Sequence, residues 1–147
     1  MNTIRSFCGE NSFLSNFAPS PFEVQGLKWG TNEHFFQAQK AKNRADFNDI
    51  LRAETPGKAK RLSRKIVIKQ DWEFVKTSVM LEGVRHKFGQ NPDLAKKLIN
   101  TGTSGLIEGN NWHDNFWGVC DCPKCASIPA ENMLGEILML VREELRA

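Results

Sequence analysis

The chain has 147 residues, a formal net charge of +3 and 40% hydrophobic residues, including ten Phe and four Trp. That length suits one domain, and a chain of this size buries roughly 68–70% of the surface it exposes when unfolded, so the core needs no disulfide scaffold. No run approaches the roughly 20 apolar residues of a membrane span, and the N-terminus MNTIRSFCGENS lacks the apolar stretch of a signal peptide, which predicts a cytoplasmic protein with no membrane partner.

The first thirty residues read as irregular and extended, with β-prone pieces at Thr3–Phe7 and Phe22–Trp29, the second folded at Gln25-Gly26 into a small hairpin. Helical signals begin at Thr31, whose hydroxyl caps a segment predicted to run through TNEHFFQAQKAKN. A second helix is predicted over Arg44–Ala53. Thr55-Pro56 is a cap followed by proline at the first helical position, and it opens a third, basic helix, GKAKRLSR. Asp71 is the expected cap of a core helix in which Trp72, Val75, Val79, Val84 and Phe88 approximate helical spacing.

Asn91-Pro92 repeats the cap-and-proline signal before DLAKKLIN, and Gly102 supplies a stop. LIEGNNWHDNFWGVC is irregular, aromatic and polar. A last helix is predicted over Glu131–Arg146, with Leu134, Ile137, Leu138, Val141 and Leu145 on its buried face. The expected fold is mainly α: a single multihelical domain spanning 1–147 with a small N-terminal β-hairpin region.

Three segments carry polar residues where burial is expected, which marks a site rather than a scaffold. One is FLSNFAP. In NEHFFQAQK, Glu33, Gln37 and Lys40 recur at i, i+4 and i+7 and so share a helix face with Phe36. Glu33 lies near the helix start, where the macrodipole predicts a low pKa and an ionised carboxylate. Such a group stabilises the cation that develops on a ribose as its C1′ bond breaks, or orients water toward that carbon. In NNWHDNFWG, Asn111, His113, Asp114 and Asn115 sit between Trp112 and Trp117, where indoles stack on a base and Asp114 holds or protonates a leaving nitrogen. Lys58, Lys60, Arg61, Arg64, Lys65 and Lys69 form a basic cluster suited to phosphate, or simply a solvated helix face. The absence of Tyr leaves carboxylates, His and Lys as the acids and bases.

LSNF, W-x-T-x-E-H-x-F-Q-A-Q-K, the arginines of AKRLSR, DWE-x-VK, D-N-F-W-G, N-x-L-G and the terminal LM-x-VREEL resemble, in order and spacing, the YbiA-like or NADAR family along nearly the whole chain. The resemblance implies a mainly helical N-glycosidase without a metal or organic cofactor. It implies a small nucleotide-like substrate, a phosphoribosylamino-pyrimidine intermediate of riboflavin synthesis, or ADP-ribosylated guanine in nucleic acid. Carried over position by position, it implies Glu33, Lys40 and Asp114 as catalytic residues. Substrate contacts are implied at Asn16, Phe17, His34, Gln37, Trp72, Asn115 and Trp117, with Arg61 and Arg64 on phosphate. After Trp117 the sequence departs from the better-known bacterial relatives: V-C-D-C-P-K-C stands where they have a Gly-rich loop.

Cys120, Cys122 and Cys125 are close enough to share a metal, with His113 or Cys8 as a fourth ligand for zinc. The C-x-C-x2-C spacing matches a zinc knuckle weakly and no second ligand pair is present, so the reading adopted is free, reduced cysteines and no metal. The rival to an enzyme is a non-catalytic ADP-ribose or nucleic-acid binding module with a structural zinc. Glu33 and Asp114 speak against it, because two carboxylates weaken the binding of an anion that is not cleaved.

Overall fold

The computed structural model describes residues 2–147. In chain order the elements are β1 (Thr3–Ile4), β2 (Phe22–Val24), β3 (Leu27–Trp29), α1 (Asn32–Ala38), α2 (Arg44–Leu51), α3 (Pro56–Ser63) and α4 (Trp72–Gly89). Then follow α5 (Pro92–Asn100), β4 (Gly105–Leu106), β5 (Gly109–Asn110), β6 (Val119–Cys120) and α6 (Met133–Arg146), with 3-10 turns at Gly9–Leu14 and Pro123–Cys125. The mainly helical class with a small N-terminal hairpin is as expected. The described residues divide into two compact units, Asn16–Asn91 and a second made of residues 2–15 with Pro92–Ala147.

In the Asn16–Asn91 unit, β2 and β3 pair antiparallel with Phe22 opposite Trp29 and Val24 opposite Leu27. The Gln25-Gly26 turn closes with φ of 51° and 82°, the doubly positive pattern that matches the right-handed twist of a two-residue hairpin. This folds Phe22 and Trp29 onto Phe35 of α1, with ring centroids 5.6 and 5.5 Å away. The Thr31 hydroxyl accepts from the His34 N–H at 3.1 Å, a cap worth about 1 kcal/mol.

The predicted run of this helix is too long. It stops at Ala38 because extended pairings take over: the Lys69 N–H donates to Lys40 O at 2.9 Å, the Lys42 N–H donates to Val67 O at 3.1 Å, and Ala41 bridges Ile68. Lys40 therefore sits in the turn beyond α1. Every residue of α1 is buried, and α2, α3 and α4 all pack against it.

The Thr55 hydroxyl accepts from the Lys58 N–H at 3.0 Å with Pro56 opening α3, as the sequence predicts. Asp71 precedes α4 but its side chain makes no capping bond. Its backbone, at φ −91° and ψ 10°, lacks the extended conformation that aims a cap at the third amide. The buried face of α4 is Trp72, Met80, Gly83, Val84, Lys87 and Phe88, while Val75 and Val79 are half-buried.

In the other unit β1 pairs parallel with β4 and β5 with β6, and α5 packs on α6, with Leu98, Leu134, Leu138 and Val141 buried. The start of α6 falls at Met133 instead of Glu131. Asn132 adopts a left-handed backbone, φ 49°, and its side chain accepts from the Glu108 N–H at 3.1 Å and donates to Leu106 O at 2.9 Å. Gly135 lies under the same strand: a Cβ there would fall 2.1 Å from Leu106 O, which explains the N-x-L-G spacing.

Gly83 gives a direct test of packing in the Asn16–Asn91 unit. Alanine in a helix interior normally gains about 1 kcal/mol over glycine. At Gly83 the sign reverses, because the added Cβ would lie 1.9 Å from Oδ1 of the buried Asn32. Gly83→Ala is expected to cost about 1–3 kcal/mol in urea unfolding; a variant as stable as the parent would show that Asn32 is free to move.

Candidate functional site

Glu33 occupies the first turn of α1 and is only 6% exposed. Its N–H donates to Asn16 O at 3.0 Å. The Asn16 side chain is engaged in turn, accepting from Asn32 Nδ2 at 2.9 Å and donating to Met80 Sδ at 3.4 Å. Asn16, predicted to touch substrate, thus positions the start of α1. One helical turn after Glu33, Gln37 Nε2 donates to Glu33 Oε2 at 2.7 Å. Among the described residues the buried Gln37 Oε1 has no hydrogen-bond partner, which leaves an acceptor beside the carboxyl.

Lys40 completes the group although it lies beyond the helix. Its Nζ stands 5.6 Å from the Phe36 ring centroid and 5.9 Å from that of Trp72, and the two rings pack at 5.1 Å. Trp72 is thus an aromatic neighbour of Lys40, held on α4.

The low pKa expected for Glu33 is not found. Burial pushes the carboxyl above its ordinary value of 4.5; the Gln37 hydrogen bond, then Lys60, then Lys40 pull it down without cancelling that effect. The macrodipole argument applies to a solvated helix end, and here desolvation wins. Lys40 is pushed below 10.5 by burial, raised by Glu33 and lowered again by Lys60. Lys60 is therefore a member of this group that the sequence reading passed over for its arginine neighbours. The readable signal was spacing: Ala59, Lys60 and Ser63 fall on the α3 face that meets α1, and Ala59 and Ser63 are buried.

Other predicted residues are placed differently. Arg61 and Arg64 are exposed and line an open groove of about 600 Å³ with Arg52, Lys58 and Lys65, a groove in which Glu33, Lys40 and Lys60 take no part. His34 is buried with Nδ1 2.8 Å from Thr31 Oγ1 and Nε2 2.9 Å from Ala53 O. Both ring nitrogens serve the protein, so His34 fastens α1 to the segment after α2. Phe17 is 41% exposed, with Lys60 Nζ 5.9 Å from its ring centroid. A second open concavity of this unit, about 820 Å³, is lined by Trp29, Gln39, Lys42, Arg44 and Phe47 among others. It contains none of the predicted catalytic or substrate-contact residues and no buried titratable group, although Lys69 of the basic cluster lines it.

In the second unit, Asp114 Oδ1 accepts from the N–H groups of Phe116 at 3.1 Å and Trp117 at 2.9 Å. That oxygen shapes the loop, so any chemistry falls to the other. Asn115 Oδ1 accepts from the Cys120 N–H at 3.0 Å, and the Trp117 ring packs edge-on against Phe116 at 4.7 Å. Asn110, absent from the sequence prediction, organises the loop: its Oδ1 accepts from the N–H groups of Trp112 and Asp114 and its Nδ2 donates to Asp114 O at 2.8 Å. Trp112 is 59% exposed. His113, Cys120, Cys122 and Cys125 come together, and Cys8 is not among them.

The sequence profile of the NADAR domain matches residues 6–146. The chain is 40% identical over 138 residues to N-glycosidase Npun_R5314 of Nostoc punctiforme, covering 90% of this chain and 85% of that protein. It is 37% identical over 134 residues to N-glycosidase YbiA of Escherichia coli, covering 90% of this chain and 80% of YbiA. The riboflavin biosynthesis protein VVA0006 of Vibrio vulnificus is 41% identical over 92% of this chain, which spans 36% of that protein. The NMR structure of E. coli YbiA superposes with a TM-score of 0.84 at 34% identity, over 98% of this chain and 83% of that one.

The inverted electrostatics of Glu33 can be measured without a substrate. In protein carrying ¹³C at the glutamate carboxyls, Glu33 is expected to titrate above 4.5, and Lys40→Met, which removes a cation that favours the ionised form, should move it higher still. A raised folded-state pKa gives a contribution to stability that is complete below the ordinary value and lost as pH rises through the folded value. Glu33→Gln should therefore stabilise the fold at neutral pH. Titration of Glu33 at or below 4.5 would restore the helix-dipole reading.

Proposed function

The chain belongs to the NADAR family, and from that premise we propose that it is an N-glycosidase hydrolysing the bond between a phosphorylated ribose, free or within ADP-ribose, and a nucleobase-like nitrogen. The observation that carries the reading is the buried Glu33 carboxyl with Gln37 bonded to one oxygen and the Lys40 and Lys60 charges beside it. Relatives named N-glycosidase at 37% and 40% identity support it. The riboflavin name of the Vibrio protein supports a phosphoribosylamino-pyrimidine as one substrate class; ADP-ribosylated guanine presents the same C1′–N bond.

Burial changes what Glu33 does best. A carboxylate whose pKa lies above the ordinary value is the stronger base, so it takes the proton of the water that attacks C1′, while its charge stabilises the oxocarbenium-like transition state. Lys60 and then Lys40 limit the upward shift of Glu33 and so favour its ionised form. Gln37 fixes the carboxyl rotamer through Nε2 and offers Oε1 to a ribose hydroxyl. As the C1′–N bond opens its electron pair passes to the leaving nitrogen, which Asp114 hydrogen-bonds or protonates. The exposed Arg61 and Arg64 contribute bidentate phosphate contacts. A purely binding module has no use for a buried carboxyl, which would only oppose an anionic ligand.

Turnover is read by chromatography of products from ADP-ribosylated guanine oligonucleotide and, separately, from a phosphoribosylamino-pyrimidine. Glu33→Gln should lower turnover on the order of 10² or more with binding largely kept. Asp114→Asn retains an oxygen for the Phe116 and Trp117 amides, so turnover should fall far more than stability. Neither substrate being cleaved by the parent protein, or near-normal turnover in Glu33→Gln, sinks the mechanism.

The arginines act on a different quantity. Arg61→Ala or Arg64→Ala should weaken binding with little change in kcat, and added salt should mimic the loss because both side chains are exposed. Unchanged affinity in both variants would reduce the basic groove to a solvated helix face.

A further inference from the structure

We propose that His113, Cys120, Cys122 and Cys125 form a closed, structural zinc site that holds the 111–131 segment in place. Their ligand atoms all lie within 4.8 Å of one another. His113 Nδ1 stands 3.4 Å from Cys122 Sγ, 3.4 Å from Cys125 Sγ and 3.8 Å from Cys120 Sγ. With Zn–S near 2.3 Å and Zn–N near 2.0–2.1 Å, a tetrahedron has N···S edges of about 3.6 Å. The three distances bracket that edge.

Simpler explanations do not fit these contacts. One Nδ1 carries at most one proton, so it cannot serve three sulfurs as a hydrogen-bond donor. The cysteines are free thiols rather than a disulfide. Three sulfurs converging on one imidazole lone pair is the arrangement of ligands around a common cation, and a Cys₃His set of soft donors selects zinc among the common divalent ions.

The surrounding chain is built to present these atoms and has little apolar core to hold it. His113 is a non-glycine residue with φ 71°, a left-handed conformation that costs roughly 1–2 kcal/mol and persists only where something determines it. Cys120 is fixed by its N–H on Asn115 Oδ1, and a tight turn gives Cys125 N–H to Cys122 O at 3.1 Å. Across residues 111–131 only Gly118, Cys120 and Cys125 are buried, and the sole regular pieces are β6 and a 3-10 turn. An irregular segment of that length without an apolar core needs a staple. With all four positions taken by protein ligands, no coordination position stays open for water, so the role is structural.

The test is made on the full chain purified without chelator from zinc-supplemented cells. Elemental analysis should give close to one zinc per chain, and Cys120→Ser and Cys125→Ser should lose it while Cys8→Ser, at an exposed cysteine outside the cluster, keeps it. Because the serine variants can fail to fold, the parent protein is also stripped with a mercurial and a chelator. Removal should lower Tm, zinc should restore it, and cobalt(II) should give thiolate charge-transfer bands with the d–d pattern of a tetrahedral site. Zinc should also slow alkylation of Cys120, Cys122 and Cys125 but not Cys8. Protein that is metal-free as isolated and gains neither Tm nor thiol protection from zinc overturns the proposal, as does stoichiometric iron in place of zinc.

Discussion

A carboxyl group buried to 6% exposure on a seven-residue helix constrains everything around it. Taking an ionised carboxylate out of water costs several kcal/mol unless hydrogen bonds and opposite charge compensate. Around Glu33 the compensation is partial: one amide donor from Gln37 and two ammonium groups at longer range. The remainder appears as a raised pKa. Because α1 is enclosed on every side, its neighbours must come close, and small residues fall where they do. Ala59 and Ser63 let α3 approach, and Gly83 lets α4 pass over Asn32. The packing of the Asn16–Asn91 unit thus follows from the requirement to bury one acidic side chain.

The two lysines answer opposing demands. Each lowers the pKa of Glu33, yet Lys60 and Glu33 act on Lys40 in opposite directions, and burial reduces Lys40's charge as well. The Phe36 and Trp72 rings relieve part of that cost by presenting their faces to the Lys40 ammonium, an interaction that gains strength out of water. Both signs of charge thus stand close together around Glu33, each partly offsetting the burial cost of the other.

What was legible in the sequence was local. The Gln25-Gly26 turn, the Thr31 cap and Thr55-Pro56 are decided within a few residues, and each appears where expected. The end of α1 was illegible because it is set by Lys69 and Val67, two helices further along the chain, which claim the backbone groups of Lys40 and Lys42. The protonation bias of Glu33 was misread for a related reason: helix position is local, whereas burial is a property of the whole unit. Lys60 and Arg61 differ by one residue in sequence and by about 100° around the helix, enough to send one toward Glu33 and the other to an exposed groove. Asn132 escaped the helix boundary reading because a left-handed residue that bonds Glu108 and Leu106 leaves no periodic signal.

The 111–117 loop shows how two neighbouring side chains are given separate tasks. His113 has φ 71°, so the chain reverses locally and the imidazole reaches the three sulfurs, while Asp114 Oδ1 stays on the Phe116 and Trp117 amides. The carbonyls of Phe116 and Trp117 accept the N–H groups of Met133 and Leu134 at 2.9 and 3.0 Å, and Asn115 O accepts from Glu131 N–H at 2.8 Å. The first amides of α6 are therefore satisfied by the D-N-F-W segment rather than by a side-chain cap. Position 114 is fixed from one side by the hydrogen bonds to α6 and from the other by the cluster containing His113. Asp114 is therefore held by backbone bonds that reach α6 through Asn115, Phe116 and Trp117, next to a residue whose side chain is engaged with three cysteines, so its geometry depends on both halves of the segment.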